Sequence, residues 1–314
     1  MNGTKYANAV GAVRAMEISL LGRNDMDQLI AAKTSAELSS LLAGKNRSGI
    51  SQNTMDEVWE MLMSYAPDCS ELKILLYKND FHDLKAVLKA KISGRDPAHY
   101  IITPANVDAD TINRAFTSKD YSILPKHLRS TAEEAYELAT RTLDGQLSDS
   151  LIDAAALSEL QKGAEVTGSD FMIRYAQLTA ACADIKTAYR CSITMRSRQF
   201  METAVCGTKG LDKNEMIKAA LSGTDSLLSY LETTPYSEAA VRLRESPAKF
   251  EKWCDDVIME LAESARTKAF GAEPLAAYYI AKEAELKNLR ILKVCKECGS
   301  DRETITERMR KLYV

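Results

Sequence analysis

One short pattern recurs three times along the 314-residue chain, as Asp83-Leu-Lys-Ala-Val-Leu-Lys89, Asp184-Ile-Lys-Thr-Ala-Tyr-Arg190 and Asn288-Leu-Arg-Ile-Leu-Lys293. Each copy reads Asp or Asn, an aliphatic residue, a base, two spacers, an apolar residue and a second base, except that the last base of the third copy comes one position early. The intervals are 101 residues (184 − 83) and 104 residues (288 − 184). Each copy lies inside a long stretch whose apolar residues step by three and four, the period of an amphipathic helix. The common solenoid repeats run about 20 to 50 residues, so a period this long predicts small helical domains rather than rungs of a superhelix. The division that follows is three similar helical domains, 1–105, 106–210 and 211–314.

Composition agrees with helices throughout. Gly (14) and Pro (7) are both sparse, while 46% of the chain is hydrophobic, which is enough to fill several cores. Scarce breakers and abundant Ala, Leu, Lys and Glu favour an all-α fold over turn-rich sheets. Lys plus Arg (41) nearly balances Asp plus Glu (44), so the formal charge of −3 supplies no broad attraction to nucleic acid or anionic lipid. The seven cysteines, Cys69, Cys182, Cys191, Cys206, Cys254, Cys295 and Cys298, are odd in number and scattered through helical patterns. A chain of this size needs no disulfide staples, and that usage points to reducing cytosol. The N-terminus lacks the apolar core of a signal peptide, and no window approaches the roughly 18 uncharged apolar residues that would cross a bilayer. Any membrane association is therefore expected to run through a partner.

Local signals place the elements. Tyr6, Ala9, Val13, Met16 and Leu20 mark a first helix ending near Gly22, and Asp25 with Gln28 is positioned to cap a second. Thr54 with Glu57, Ser130 with Glu133, Asp212 with Glu215 and Ser300 with Glu303 are further capping-box patterns. Leu72 to Lys91 forms a long helix stopped by Gly94, and Phe171 to about Val205 forms a second, stopped by Gly207 and Gly210. The stretch Arg95–Pro104, with two prolines, is the first plausible linker. Trp59 reads as a core residue. Ala277–Lys293 carries Leu275, Tyr279, Leu286 and Leu289 on one face and Ile280, Ala284, Ile291 and Val294 on nearly the opposite one, so it is expected to be wedged between other helices.

Few motifs suggest chemistry. Cys295-Lys-Glu-Cys298 is a lone CxxC, with no second pair and with His82, His99 and His127 all distant in sequence, so an ordinary thiol pair at a helix end is the simpler reading. Asp255-Asp-Val-Ile-Met-Glu260 resembles the Mg²⁺-diphosphate cluster of isoprenoid synthases, which are also all-α, and it is the best lead toward an enzyme. Such sites need a second carboxylate motif on a facing helix, and none is evident. Gly163-Ala-Glu-Val-Thr-Gly-Ser169 has the glycine spacing of a phosphate loop without its lysine. No catalytic, cofactor-binding or metal-ligating set follows from these patterns. The basic run Arg190, Arg196 and Arg198 is read first as a solvated helix face. Among the bases of the repeat, Lys85, Lys89, Lys186, Arg190, Arg290 and Lys293 are candidates for inter-domain or partner contacts because they recur at equivalent places.

The segments Tyr6–Arg14, Tyr77–Lys85 and Ala281–Arg290 resemble the C subunits of archaeal and bacterial V/A-type rotary ATPases, whose eukaryotic relatives are the d subunits. The likeness extends over the whole chain and is weakest between about 105 and 170. It implies a funnel of three helical domains around a pseudo-threefold axis, with no catalysis and no cofactor of its own. It further implies one copy per rotary complex on the cytoplasmic face of the membrane. One end of such a protein sits on the membrane proteolipid rotor ring, and the axle made by the D and F subunits enters the other, so that torque passes between them. The remaining alternatives are the isoprenoid-synthase-like enzyme and a generic helical scaffold.

Overall fold

A computed structural model describes residues 3–44, 54–68, 70–142 and 144–314; Cys69 lies outside the described residues. The protein is all-α, with sixteen α-helices, short 3-10 turns and no β-strand among the described residues. It sorts into two compact units. Met1–Leu72 and Arg244–Val314 form the first, and Lys73–Leu243 the second.

The first unit opens with α1 (Ala7–Glu17), α2 (Arg23–Ala31), α3 (Ser35–Gly44) and α4 (Thr54–Tyr65). Asp25 acts from inside α2 rather than as its cap: its carboxylate reaches back 3.2 Å to the Gly22 N–H, since Gly22 has no side chain to offer.

The second unit begins with α5 (Tyr77–Ser93), α6 (Ala109–Ser118), α7 (Lys126–Thr142) and α8 (Gly145–Thr167). Ser130 lies within α7, whose first turn follows Pro125, so the cap expected at Ser130 is not one. The α5–α8 helices enclose one core of Phe81, Leu84, Val87, Leu88, Ile112, Phe116, Leu128 and Ile152. Gly163 explains its own place. It sits in mid-α8, where a Cβ would come within 3.1 Å of Ile74 and Tyr77, so it is a close-packing glycine rather than part of a phosphate loop. Helices α9 (Asp170–Thr194), α10 (Arg198–Ala204), α11 (Lys213–Leu221), α12 (Thr224–Glu232) and α13 (Ser237–Glu245) follow. The expected single helix from 171 to 205 is thus broken at Met195; of the basic Arg196-Ser-Arg198, Arg196 falls in the break and Arg198 opens α10.

The chain then returns to the first unit with α14 (Pro247–Ser264), α15 (Glu273–Glu297) and α16 (Arg302–Arg308). The N-terminal half of α15 is buried all round, from Pro274 to Ala281, and Trp59 of α4 packs edge-on against its Tyr279 at 5.6 Å. Its second half buries Leu289, Leu292 and Cys295 against α2, α3 and α16. The second apolar stripe gives out there, for Val294 is 54% exposed. α16 is capped by Asp301, which accepts from the Thr304 N–H at 2.7 Å, not by Ser300.

The three long helices α5, α9 and α15 end alike. Gly94, Met195 and Gly299 take the left-handed conformation, each 11 residues after the first residue of the repeat (94 − 83, 195 − 184, 299 − 288). The next N–H closes the end by a six-to-one bond, from Arg95 to Ala90, Arg196 to Cys191 and Ser300 to Cys295, at 2.9, 3.1 and 2.9 Å. Met195 is the strained member, because an L side chain in this region costs about 1–2 kcal/mol. Its side chain is 90% exposed and packs on little. Met195→Gly is therefore expected to stabilise the chain by about 1 kcal/mol, and Met195→Val to destabilise it, in thermal unfolding followed by circular dichroism.

Candidate functional site

What α5, α9 and α15 share beyond their ends is a buried polar residue in mid-helix. Asp83, Asp184 and Asn288 are 1%, 0% and 0% exposed, although Asp and Asn are poor helix formers that are seldom buried. Each is held there by the chain segment that returns past its helix. Asp83 Oδ1 accepts from the Ile102 N–H at 2.9 Å. Asp184 accepts from the Cys206 and Gly207 N–H groups at 3.1 and 2.7 Å, and from the Cys206 thiol at 3.4 Å. Asn288 accepts from the Arg310 N–H at 2.8 Å and donates back to the Arg310 carbonyl at 3.2 Å. These residues are anchors for the return segments.

The surrounding register is the same in all three. The residues one and four places on, Leu84 and Val87, Ile185 and Ala188, Leu289 and Leu292, are all buried. Thirteen places on, Asp96, Ser197 and Asp301 accept from the N–H groups of Ala98, Phe200 and Thr304 just ahead of a short helix (96 − 83, 197 − 184, 301 − 288); Ser197 and Asp301 cap theirs, whereas Pro97 stands at the cap of the first. That helix is a three-residue 3-10 turn after α5 and seven residues after α9 and α15, so the anchored N–H comes 19 residues on in the first copy (102 − 83) and 22 in the others (206 − 184, 310 − 288). Cys295 occupies the same place as Ala90 and Cys191, seven residues after the anchor, and all three are buried small residues. Its burial accounts for one half of the CxxC as packing.

Burial dominates the electrostatics of the acidic anchors. It pushes the Asp83 carboxyl up to about 7; the Ile102 N–H opposes the rise and Asp80 adds to it. Burial also raises Asp184, against the pull of its N–H and thiol donors and of Lys213. The Cys206 thiol is driven upward by burial and by the neighbouring Asp184 carboxylate, which makes it a poor nucleophile.

Around the first anchor α5 holds more than the repeat pattern signalled. Asn79 donates to the Pro104 carbonyl at 2.8 Å, and Asp80 accepts from the Asn106 N–H at 2.7 Å, from the Asn106 amide at 2.8 Å and from His127 Nε2 at 2.9 Å. His127 in turn stacks on Tyr77 with ring centroids 4.0 Å apart. Glu285, one turn before Asn288, is likewise buried and accepts from the Leu21 N–H at 2.6 Å and from Lys282. The signal for Asn79 and Asp80 was present as polar letters interrupting a buried helical face.

The candidate bases fall into different settings. Lys85 pairs with Asp153 at 2.5 Å and Lys89 with Asp149 at 2.6 Å, two acids one turn apart on α8. Lys186 is half-buried and Arg190 exposed on α9. Arg290 and Lys293 stand exposed on α15. The early base of the third copy matters here: the place corresponding to Lys89, six residues after the anchor, is held by Val294.

The acidic cluster of α14 is engaged from within its own unit. Asp255 pairs with Lys287 at 2.6 Å and with Arg310 Nε at 2.7 Å, and Asp256 accepts from the Lys311 N–H at 2.7 Å and pairs with Lys252 at 3.1 Å. Lys311 also reaches Glu260 at 3.5 Å and Glu263 at 2.8 Å. These cations and N–H groups take the oxygens that an Mg²⁺-diphosphate site would use, which removes the observation behind the isoprenoid-synthase reading. No group of His, Cys, Asp and Glu among the described residues is arranged to hold a metal ion.

Replacing Asn288 by Asp tests the third anchor. A carboxylate there would face the Arg310 carbonyl with no proton to give, so Asn288→Asp is expected to destabilise the first unit by about 1–3 kcal/mol, read from the urea midpoint of tryptophan fluorescence.

A sequence profile of the ATP synthase (C/AC39) subunit family matches residues 9–308. The C subunit of the V-type sodium ATPase of Enterococcus hirae is 25% identical over 317 aligned residues, which cover 96% of this chain and 97% of that protein.

Proposed function

Because the chain belongs to the ATP synthase (C/AC39) subunit family, we propose that it is the non-catalytic central-stalk component of a V/A-type ATPase or ATP synthase. In this reading it joins the axle of the D and F subunits to the membrane proteolipid rotor ring and carries torque between them. The observation that carries the reading is the family match over residues 9–308, nearly the whole chain.

The local physics supports such a role. A part that passes torque must not let its segments slide, and the three anchors tie each return segment to its long helix by hydrogen bonds in a buried setting, where they are strong and costly to break. No helix among the described residues is long and apolar enough to cross a membrane, so contact with the rotor ring would be made through surfaces outside the bilayer. The three-domain division at 105 and 210, one copy per complex and a place on the cytoplasmic face all belong to the same proposal. Among the candidate bases, exposed Arg290 and Lys293 suit a partner surface, whereas Lys85 and Lys89 are engaged by Asp153 and Asp149.

A tagged chain expressed in its own host is expected to recover axle proteins and proteolipid ring from detergent-solubilised membranes. Recovery of neither would count against the proposal. Recovery of unrelated soluble proteins alone would favour a general scaffold.

A further inference from the structure

One buried acid of the second unit is incompletely bonded. Asp83 Oδ1 receives the Ile102 N–H, but Oδ2 is buried with no hydrogen-bond partner among the described residues. The corresponding residues are saturated: Asp184 divides its two oxygens among three donors, and Asn288 uses both ends of its amide on Arg310. An ionised Asp83 would leave an unpaired anionic oxygen buried away from solvent, an arrangement proteins avoid by keeping the proton.

The neighbouring charges do not relieve it. On α5 itself the Asp80 carboxylate lies one turn away and repels a second negative charge, while Lys85 is drawn off to Asp153. From α7, His127 bonds Asp80 rather than Asp83. From α8, Asp149 and Asp153 are occupied by Lys89 and Lys85. Asp110 and Arg114 of α6 are exposed, and residues 101–106 carry no titratable side chain.

We propose that Asp83 keeps its proton while the second unit is folded, acting as a neutral counterpart of Asn288, and that loss of this proton to solvent loosens the strap formed by residues 101–106. The strap hangs from α5 at three points, Asp83 to Ile102, Asn79 to Pro104 and Asp80 to Asn106, so ionisation at the first acts on a segment the other two keep near. The sign follows from burial. The carboxyl is raised to about 7, whereas an unfolded chain would release its proton near 4. The stabilisation is therefore complete in acid and is lost as the pH rises through 7.

Hydrogen–deuterium exchange of the full chain tests this on peptides covering 101–106, corrected for the intrinsic pH dependence of exchange. In the wild type, opening of the strap is expected to rise by up to about tenfold per pH unit between pH 5 and 7 relative to Asp83→Asn. Tryptophan fluorescence serves as the control, because Trp59 and Trp253 both lie in the first unit. Infrared spectra at pH 6.5, where carboxyls of ordinary acidity are ionised, should show a protonated-carboxyl band that is stronger in the wild type than in Asp83→Asn, with the difference fading by pH 8. The same pH dependence in both proteins would overturn the proposal. So would a wild-type spectrum without that band at pH 6.5, which decides the matter even if Asp83→Asn fails to fold.

Discussion

A buried carboxylate or amide in the middle of a long helix must find donors or cost the fold several kcal/mol, and that requirement organises the three repeats of this protein. Asp83, Asp184 and Asn288 find their donors on the backbone of the segment that returns past the helix. The bond forms in only one register. It therefore fixes where the helix stops and where the chain runs back, which is why the left-handed residue falls 11 positions after the anchor each time and a side-chain acceptor for the next turn falls 13 positions after it. Apolar packing alone tolerates sliding by a turn; a buried hydrogen bond to a single N–H does not.

The third repeat extends the principle. Its return segment, residues 309–313, is bound along its length: Lys252 on the Met309 carbonyl, Asp255 on Arg310, Asp256 on Lys311, and Glu17 on the Tyr313 hydroxyl. The acids that looked like a metal cluster in the sequence are thus the seat of the C-terminal strand of chain. In a protein proposed to carry torque, a return segment locked into its own unit resists being pulled free.

Much of this was legible. The spacing of the repeat and the helical fold could be read from Asp83, Asp184 and Asn288 and from the apolar period around them, but not that these three are buried anchors, because the N–H groups they hold lie about 20 residues further on, in segments without a pattern of their own. The break after Thr194 could not, because Met195 gives no turn signal; its left-handed geometry is imposed by the same helix-ending pattern that uses Gly94 and Gly299 elsewhere. Ser130 and Ser300 matched a capping pattern, but Ser130 lies inside α7, which starts at Lys126, and Asp301 takes the role from Ser300, since several residues near one helix start can match and only the backbone path decides which is used. The role of Asp255 and Asp256 was hidden because their partners, Arg310 and Lys311, lie 55 residues further along the chain.

The central claim, that three equivalent buried anchors hold three return segments, is tested most directly by amide hydrogen exchange resolved at single residues. The account predicts that the N–H groups of Ile102, Gly207 and Arg310, which lie outside helices, exchange far more slowly than amides of an unstructured chain and lose that protection when the facing anchor, Asp83, Asp184 or Asn288, is replaced by alanine. Exchange of these three amides at the unstructured rate, or protection that survives loss of the anchor, would contradict it.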